Sequence, residues 1–167
     1  TLAIAAGTYN ERVTLTKQLT LDGVGAGSTI LDGTGLAGNG NGITINTGIT
    51  NVTIKDLTVR DYAGASGNAN AGIYGIGGNN NLTVTDVDLA DNLGGSGFYA
   101  NGPIDNVLLN NVDAHGHTVG ARGIVIWNGH KSNITITNCE VYNNNCCGIE
   151  LQDGSASGVT MTNNNVH

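Results

Sequence analysis

The chain has 167 residues, the size of a single domain over 1–167, and it contains 27 glycines and one proline. Charged residues make up 11% and aromatic residues 4%, which is typical of a turn-rich all-β protein and not of a disordered one, because β-branched residues are abundant and alternate with polar ones. The net charge of −7 disfavours nucleic acid and anionic membranes as partners, and no apolar run approaches the roughly 20 residues of a membrane span.

The chain repeats itself with a nearly fixed period. Glycines that precede an apolar segment recur at steps of 30, 25, 26 and 25 residues, at Gly42, Gly72, Gly97, Gly123 and Gly148. A second signature of the type Asn-Val-Thr-Ile follows in each copy and begins at Asn51, Asn81, Asn106, Asn133 and Gly158. Self-similarity of this length predicts a solenoid, in which each repeat packs only on its neighbours.

The repeats are predicted to be strands. Apolar and polar residues alternate, as around Val52, Ile54 and Leu57, and a period of two indicates strands with one buried face. A short turn follows the second strand of each copy, with an Asn or Asp that tolerates left-handed backbone. These turn residues are Asp56, Asp86, Asn111, Asn138 and Asn163. The fold class is therefore all-β, a single-stranded parallel β-helix of about six coils with three short strands per coil.

The repeated Gly-Ile-x-Ile and Asn-(Val/Ile)-Thr-Ile segments, together with the ladder of Asn and Asp turns, resemble the right-handed parallel β-helix proteins of the pectate-lyase-like superfamily. The opening run 7–15 is similar to the first coil of such proteins. The resemblance covers nearly the whole chain and implies the right-handed sense, which the spacing alone does not set. It implies no single activity, because the superfamily includes lyases, hydrolases, epimerases, adhesins and phage tailspikes.

Neither end of the chain has a recognisable cap. Thr1 begins within a predicted strand, and His167 directly follows another. Solenoids need polar caps to protect their edges. We therefore expect a fragment of a longer protein, or a chain that associates end to end through open terminal coils.

The three cysteines predict neither a disulfide framework nor a set of metal ligands. Cys139 falls on a core position, equivalent to Leu57 and Val87, and is predicted to be a plain buried thiol. Cys146 and Cys147 are neighbours in a loop.

Stacking turns the repeat into surface columns, and the first strand presents an aromatic one. Tyr74, Tyr99 and Trp127 are expected to form a track, with Glu150 and Gln152 in the same two columns. Flat aromatic rings beside hydrogen-bonding groups suit the apolar faces and polar edges of sugars. The alternative is that the stacked rings only stabilise a parallel sheet. Three further residues are expected to border this carbohydrate-binding face, namely His115, His117 and Arg122.

A column of carboxylates is predicted on the third strand. Asp88, Asp113 and Glu140 lie on successive coils, ~5 Å apart, where like charges repel and raise one another's pKa. The column is open to three interpretations, which are solvated carboxylates, a Ca²⁺ site built from several oxygen ligands, and a catalytic acid/base set. Metal coordination by His115 and His117 is a separate alternative. The sequence requires no cofactor, and Ca²⁺ is the one candidate.

The second strand presents threonines. Its outward positions include Thr53, Thr83, Thr135 and Thr160. Regular Thr arrays resemble those of ice-binding solenoids, but Leu108 interrupts this one, and Thr is also simply a good strand residue.

The segment 127–130 (Trp-Asn-Gly-His) is similar to the catalytic coil of mannuronan C5-epimerases and related alginate lyases. In that family an Asp-Pro-His triplet closes the first strand, and a Tyr lies three residues before the Asp. The resemblance places the His on His130, but it places the Asp on Asn128 and the Tyr on Val125, which lack the required groups. Tyr99, one coil earlier, is the candidate substitute. If the chain is an enzyme, the resemblance implies a uronate lyase or epimerase with His130 and Tyr99 as catalytic residues.

We expect an extracellular or cell-surface, carbohydrate-associated β-helix module that binds or helps process a polysaccharide, with uronate polymers among the candidates. The alternative class is a structural spacer or adhesin segment without catalysis, which the low charge and the regular Thr and Asn columns favour. Ice binding is the third alternative.

Overall fold

The computed structural model describes residues 1–63 and 70–167, and all regular secondary structure in these ranges is β-strand. The strands in chain order are β1 (Leu2–Ala3), β2 (Gly7–Tyr9), β3 (Val13–Leu15), β4 (Thr20–Asp22), β5 (Thr29–Asp32), β6 (Ile43–Ile45), β7 (Val52–Arg60), β8 (Ile73–Gly75), β9 (Leu82–Ala90), β10 (Phe98–Asn101), β11 (Ile104–His115), β12 (Arg122–Trp127), β13 (Lys131–Thr137), β14 (Glu140–Tyr142), β15 (Cys147–Gln152), β16 (Ala156–Thr162) and β17 (Asn165–Val166).

Each strand pairs in parallel with its equivalents in the neighbouring coils. The first strands form a six-stranded sheet in the order β15-β12-β10-β8-β6-β3, which we call the first-strand sheet. The second and third strands form an eleven-stranded sheet, in which β1 and β2 precede the first complete coil. Six first strands give six coils, so the predicted parallel β-solenoid is confirmed.

The three strands predicted for each coil are only partly separate. In β7, β9 and β11 the second and third strands run on as one strand of 9, 9 and 12 residues. The predicted turn residues Asp56, Asp86 and Asn111 lie inside these strands with φ of 57°, 56° and 53°. One left-handed residue bends the chain there without breaking the pairing, because the equivalent residue of the next coil bends in the same way.

A second left-handed position opens each Asn-Val-Thr-Ile segment. Asn51, Asn81 and Asn106 all have a φ of 56°, and Gly158, the equivalent in the last coil, has 61°. The amides form a ladder along the stack, since Asn81 Nδ2 donates to Asn51 Oδ1 at 3.1 Å and Asn106 Nδ2 donates to Asn81 Oδ1 at 2.8 Å. The corners are thus held by backbone preference and by side-chain hydrogen bonds together.

The two sheets enclose one narrow apolar core. Inward positions predicted from the alternation, such as Ile54, Leu57 and Val59, are fully buried. Cys139 occupies one of these positions and is buried, as predicted. Among the described residues, no helix is both long enough and apolar enough to cross a membrane.

The outermost coils of the described chain leave strand edges unpaired. Apolar side chains are exposed there, with Leu2 52% exposed at one end and Met161 45% and Val166 50% exposed at the other. Both edges carry the same parallel pattern, so one can pair with the other in a head-to-tail contact.

End-to-end association stays a prediction: we expect light scattering to give a mass that rises with protein concentration, and a constant monomer mass would contradict it.

We expect Asn106→Ala to lower the free energy of unfolding by about 2 kcal/mol, from the strain of a left-handed alanine and the lost amide bond together. Asn106→Gly is the matched control, because it removes the same bond but accepts the same φ, as Gly158 does. It should cost about half as much, measured by urea denaturation. Equal losses in the two variants would show that backbone strain has no part at this corner.

Candidate functional site

Loops partly cover the outer face of the first-strand sheet. The loops 91–96 and 116–121 follow the third strands of two successive coils, and they stack on each other. The backbone of Gly94 donates to Thr118 at 3.1 Å. The stacked loops form a wall along one side of the face.

A small apolar cluster lies under that wall, outside the main core. It consists of Ala71, Tyr99 and Val125, and the partly exposed Tyr74 and Trp127 pack against it. The predicted column is present, because Tyr74, Tyr99 and Val125 are paired in register. Tyr99, however, is only 3% exposed, so it supports the face from beneath and does not present a ring to a ligand.

The three aromatic rings have two different orientations. Tyr74 and Tyr99 are stacked, with ring centroids 5.2 Å apart and planes at 12°. Trp127 stands edge-on to Tyr99, at 6.2 Å and 79°. The predicted track is therefore a structural stack of two tyrosines, whose facing surfaces are occupied by each other, followed by one indole turned across it.

Trp127 is fixed in this orientation by charged neighbours. Its indole N–H donates to Asp153 Oδ2 at 2.6 Å, and the guanidinium carbon of Arg122 lies 5.2 Å from its ring centroid, within the range of a cation–π contact. Arg122 in turn donates from Nε to Glu150. Sequence analysis did not place Asp153 beside Trp127, although its position one coil later, 26 residues on, was a usable signal.

Lys131 supports the turn that carries Asp153. Its side chain is 1% exposed, and its ammonium donates to the carbonyls of Gly129 and Asp153 at 3.0 and 2.6 Å. Burial lowers the pKa of Lys131, and the negative charge of Asp153 partly offsets this decrease. The buried ammonium thus holds two consecutive corners of the stack together.

A shallow cleft of about 170 Å³ opens between Trp127 and the loop wall. Tyr99 and Arg122 contribute to its lining, together with small residues of the two loops, including Ser96 and Gly120. Gln152 is the ladder partner of Trp127, and its Oε1 is buried with no hydrogen-bond partner among the described residues. A cleft of this size lies below the usual range of about 300–1,000 Å³ for enclosed ligand pockets, so a ligand would lie across it.

The structure does not bring His130 to Tyr99. His130 lies at the exposed turn after β12, where Nδ1 lies 2.7 Å from Ser155 Oγ and Nε2 lies 3.4 Å from Ser157 Oγ. It borders a different surface depression, beside Asp105. Burial raises the pKa of Tyr99 to about 12, far from the range of an efficient proton donor at neutral pH. In the described chain, no contact joins this predicted pair.

His117 was expected to border the sugar face, and it is instead fully buried. It occupies a corner position equivalent to Asn92 and Asn144, where the side chain of one coil accepts the backbone N–H of the preceding coil. Its Nδ1 accepts from the N–H of Asn92 at 3.2 Å. Burial lowers the pKa of His117 to about 3, so the ring is neutral, and its role here is to bond the corner.

His115 lies on the third-strand face, away from the aromatic cluster. It stacks on Tyr142 at 4.7 Å, and Tyr142 stacks on His167 at 5.5 Å. Of the three residues expected to border the carbohydrate-binding face, only Arg122 does so, because strand register places His115 in another column and the corner ladder buries His117.

The carboxylate column is present in the predicted register, with Asp113 paired to Asp88 on one side and to Glu140 on the other. Desolvation, followed by the like charges of Asp88 and Glu140, raises the pKa of Asp113. His115 lies 3.1 Å from Asp88. Within the described ranges no group of three or more His, Cys, Asp or Glu is placed to hold a metal ion, and a Ca²⁺ site on this column stays a prediction.

The family model of the right-handed β-helix region matches residues 23–167 of the chain. The chain belongs to this family. The match confirms the right-handed sense that the sequence resemblance implied, and no curated protein matches the chain significantly.

Two solved β-helix structures are similar to this chain at low identity. The A-module of the Azotobacter vinelandii mannuronan C-5 epimerase AlgE6 shares 15% identity with a TM-score of 0.32, over 95% of this chain and 70% of that one. The catalytic domain of a GH87 α-1,3-glucanase in complex with tetrasaccharides shares 13% with a TM-score of 0.30, over 99% of this chain and 60% of that one. At these values the likeness does not extend to function.

The buried His117 gives this β-helix a pH-dependent stability. Its folded pKa of about 3 lies below the unfolded value near 6.5, so below pH 6.5 protons bind preferentially to the unfolded chain, and stability is lost as the pH falls towards 3. Between pH 7.5 and 5 we expect this residue alone to cost about 2 kcal/mol.

Asn occupies the equivalent corner in both neighbouring coils, so His117→Asn is the matched variant. Urea unfolding at pH 7.5 and 5 should give a smaller loss of stability in the variant than in the parent chain. If the parent chain and the variant lose the same stability between pH 7.5 and 5, the pKa of His117 does not differ between the folded and unfolded states.

Proposed function

We propose that this β-helix binds a polysaccharide across the outer face of its first-strand sheet, with Trp127 as the platform. The observation that carries the proposal is the orientation of the indole. It is partly exposed, turned 79° from the tyrosine stack, and locked by Asp153 and Arg122. A rigid aromatic ring beside fixed hydrogen-bonding groups matches the apolar face and polar edge of a sugar ring.

The charges around the platform favour a neutral sugar chain over a uronate chain. Arg122 is the cation closest to the indole, and its guanidinium is already paired with Glu150. Asp153 adds a second carboxylate at the indole N–H. Lys131 lies beside Asp153, so among the described residues around the indole no cation is left unpaired for a uronate carboxylate, whereas a neutral sugar can still accept hydrogen bonds from Arg122 and donate to Glu150.

Binding without turnover is the activity that this site supports. Val125 and Asn128 stand where the epimerase-like motif has proton-transfer groups, and His130 is engaged with two serines away from the cleft. Proton abstraction beside a carboxylate needs an acid and a base within reach of one carbon atom. An extracellular location fits a polysaccharide ligand and stays a prediction.

The second candidate is a structural spacer, in which the stack itself is the function. It is favoured by the regular pairing of every coil and by the burial of Tyr99, which makes the Tyr74–Tyr99 stack a support for the sheet. The two candidates differ in one respect that can be measured, namely whether Trp127 contributes to binding.

Trp127→Ala should weaken binding to a neutral polysaccharide that the parent chain binds by at least about tenfold, since a tryptophan that becomes buried on binding typically dominates such an interface. Trp127→Phe keeps an apolar ring but loses the bond to Asp153, so an intermediate loss is expected. Binding is measured by a glycan array followed by affinity electrophoresis, and absorbance of unsaturated uronate is followed in parallel.

Tyr142→Ala is the matched control, because it removes an aromatic ring from the third-strand face and leaves the first-strand face intact. It should bind as the parent chain does. If no polysaccharide binds, or if Trp127→Ala and Tyr142→Ala bind equally well, the spacer is the better account. Rising uronate absorbance would instead establish a lyase.

A further inference from the structure

Two adjacent cysteines lie on the last coil, and the proposed sugar site does not use them. Cys146 is exposed and Cys147 is partly exposed, and both are free thiols. The third cysteine, Cys139, is 2% exposed in the core. The chain therefore offers one accessible pair of thiols and one inaccessible thiol for comparison.

The backbone that carries the pair is hydrogen-bonded to the previous coil. The N–H of Asn145 donates to the carbonyl of His117 at 2.9 Å, and the N–H of Cys146 donates to that of Ala121 at 3.0 Å. Cys147 begins β15 and is paired with Arg122 in the neighbouring strand. The previous coil therefore fixes the backbone of both cysteines without a covalent link between them.

The two side chains face one space. Both border a cavity of about 220 Å³ at the end of the stack. The neighbouring Cys146 side chain, followed by burial, raises the pKa of Cys147. Arg122 interacts electrostatically with both sulfurs, and a nearby guanidinium favours thiolate when the proton leaves.

We propose that Cys146 and Cys147 form a preorganised dithiol site that captures thiophilic species requiring two sulfur ligands, of which trivalent arsenicals are the chemical class. A monosubstituted arsenical needs two thiolates and no third protein ligand, so two neighbouring cysteines are sufficient. This inference is independent of the proposed sugar binding.

The capture step is redox-neutral and balanced. Each thiol sulfur forms a bond to arsenic, the arsenic–oxygen bonds of the arsenoxide break, and the two thiol protons leave with that oxygen as one water molecule. The second arsenic–sulfur bond forms within the same molecule, so it benefits from the high effective concentration of the neighbouring thiol.

The test uses the whole chain, reduced with a thiol-free phosphine and incubated with phenylarsine oxide. We expect native mass spectrometry to find one phenylarsenic group per chain, with the loss of two accessible thiols in a colorimetric titration. In excess 2-mercaptoethanol the adduct should persist on the order of a hundredfold longer than that of Cys146→Ser, which can form only one arsenic–sulfur bond, and 2,3-dimercaptopropanol should release it.

Cys139→Ser is the matched control and should react as the parent chain does, because its thiol is buried. Circular dichroism confirms that each variant is folded. The proposal is overturned if the parent adduct is lost to 2-mercaptoethanol as fast as that of Cys146→Ser, if only one thiol is consumed, or if Cys139→Ser abolishes capture. The number of thiols that the parent chain loses on capture tests the proposal even if a variant unfolds.

Discussion

The structure depends on backbone pairing between equivalent residues of successive coils. Strands of the inner coils gain hydrogen bonds from the coil before and the coil after, so no coil is stable alone and every corner must turn at the same place. Left-handed residues meet that requirement at recurring positions of the coil, where Asn, Asp or Gly accepts the conformation with little strain. The amide ladders at those corners then bond along the stack.

The same pairing places equivalent side chains of successive coils next to one another. On the interior this is favourable, because equivalent apolar residues stack into one core. On the surface it produces the carboxylate column around Asp113 and the ring stack of His115, Tyr142 and His167. Asp113 and Glu140 are exposed in this column, and the ring of His115 lies 3.1 Å from Asp88.

Distinctive chemistry arises where the coils stop being equivalent. The loops 91–96 and 116–121 enclose one side of the first-strand sheet, and they turn a flat column into a cleft. Inside it, Trp127 departs from the stacked orientation of the tyrosines because Asp153 and Arg122, contributed by different positions of the repeat, hold the indole. The adjacent thiols of Cys146 and Cys147 likewise belong to one coil alone.

The repeat spacing by itself determined the solenoid, the register of every column and the residues of the core, because these follow from local periodicity and from pairing between equivalents. It did not determine which outward residues stay exposed. Tyr99 and Val125 are buried in a cluster with Ala71, against which Tyr74 and Trp127 pack. His117 lies at a corner where a side chain accepts a backbone hydrogen bond. The contact of Trp127 with Asp153 also needed the tertiary structure, because the strand register pairs Trp127 with Gln152, and the turn after β15 brings the neighbouring Asp153 to the indole N–H.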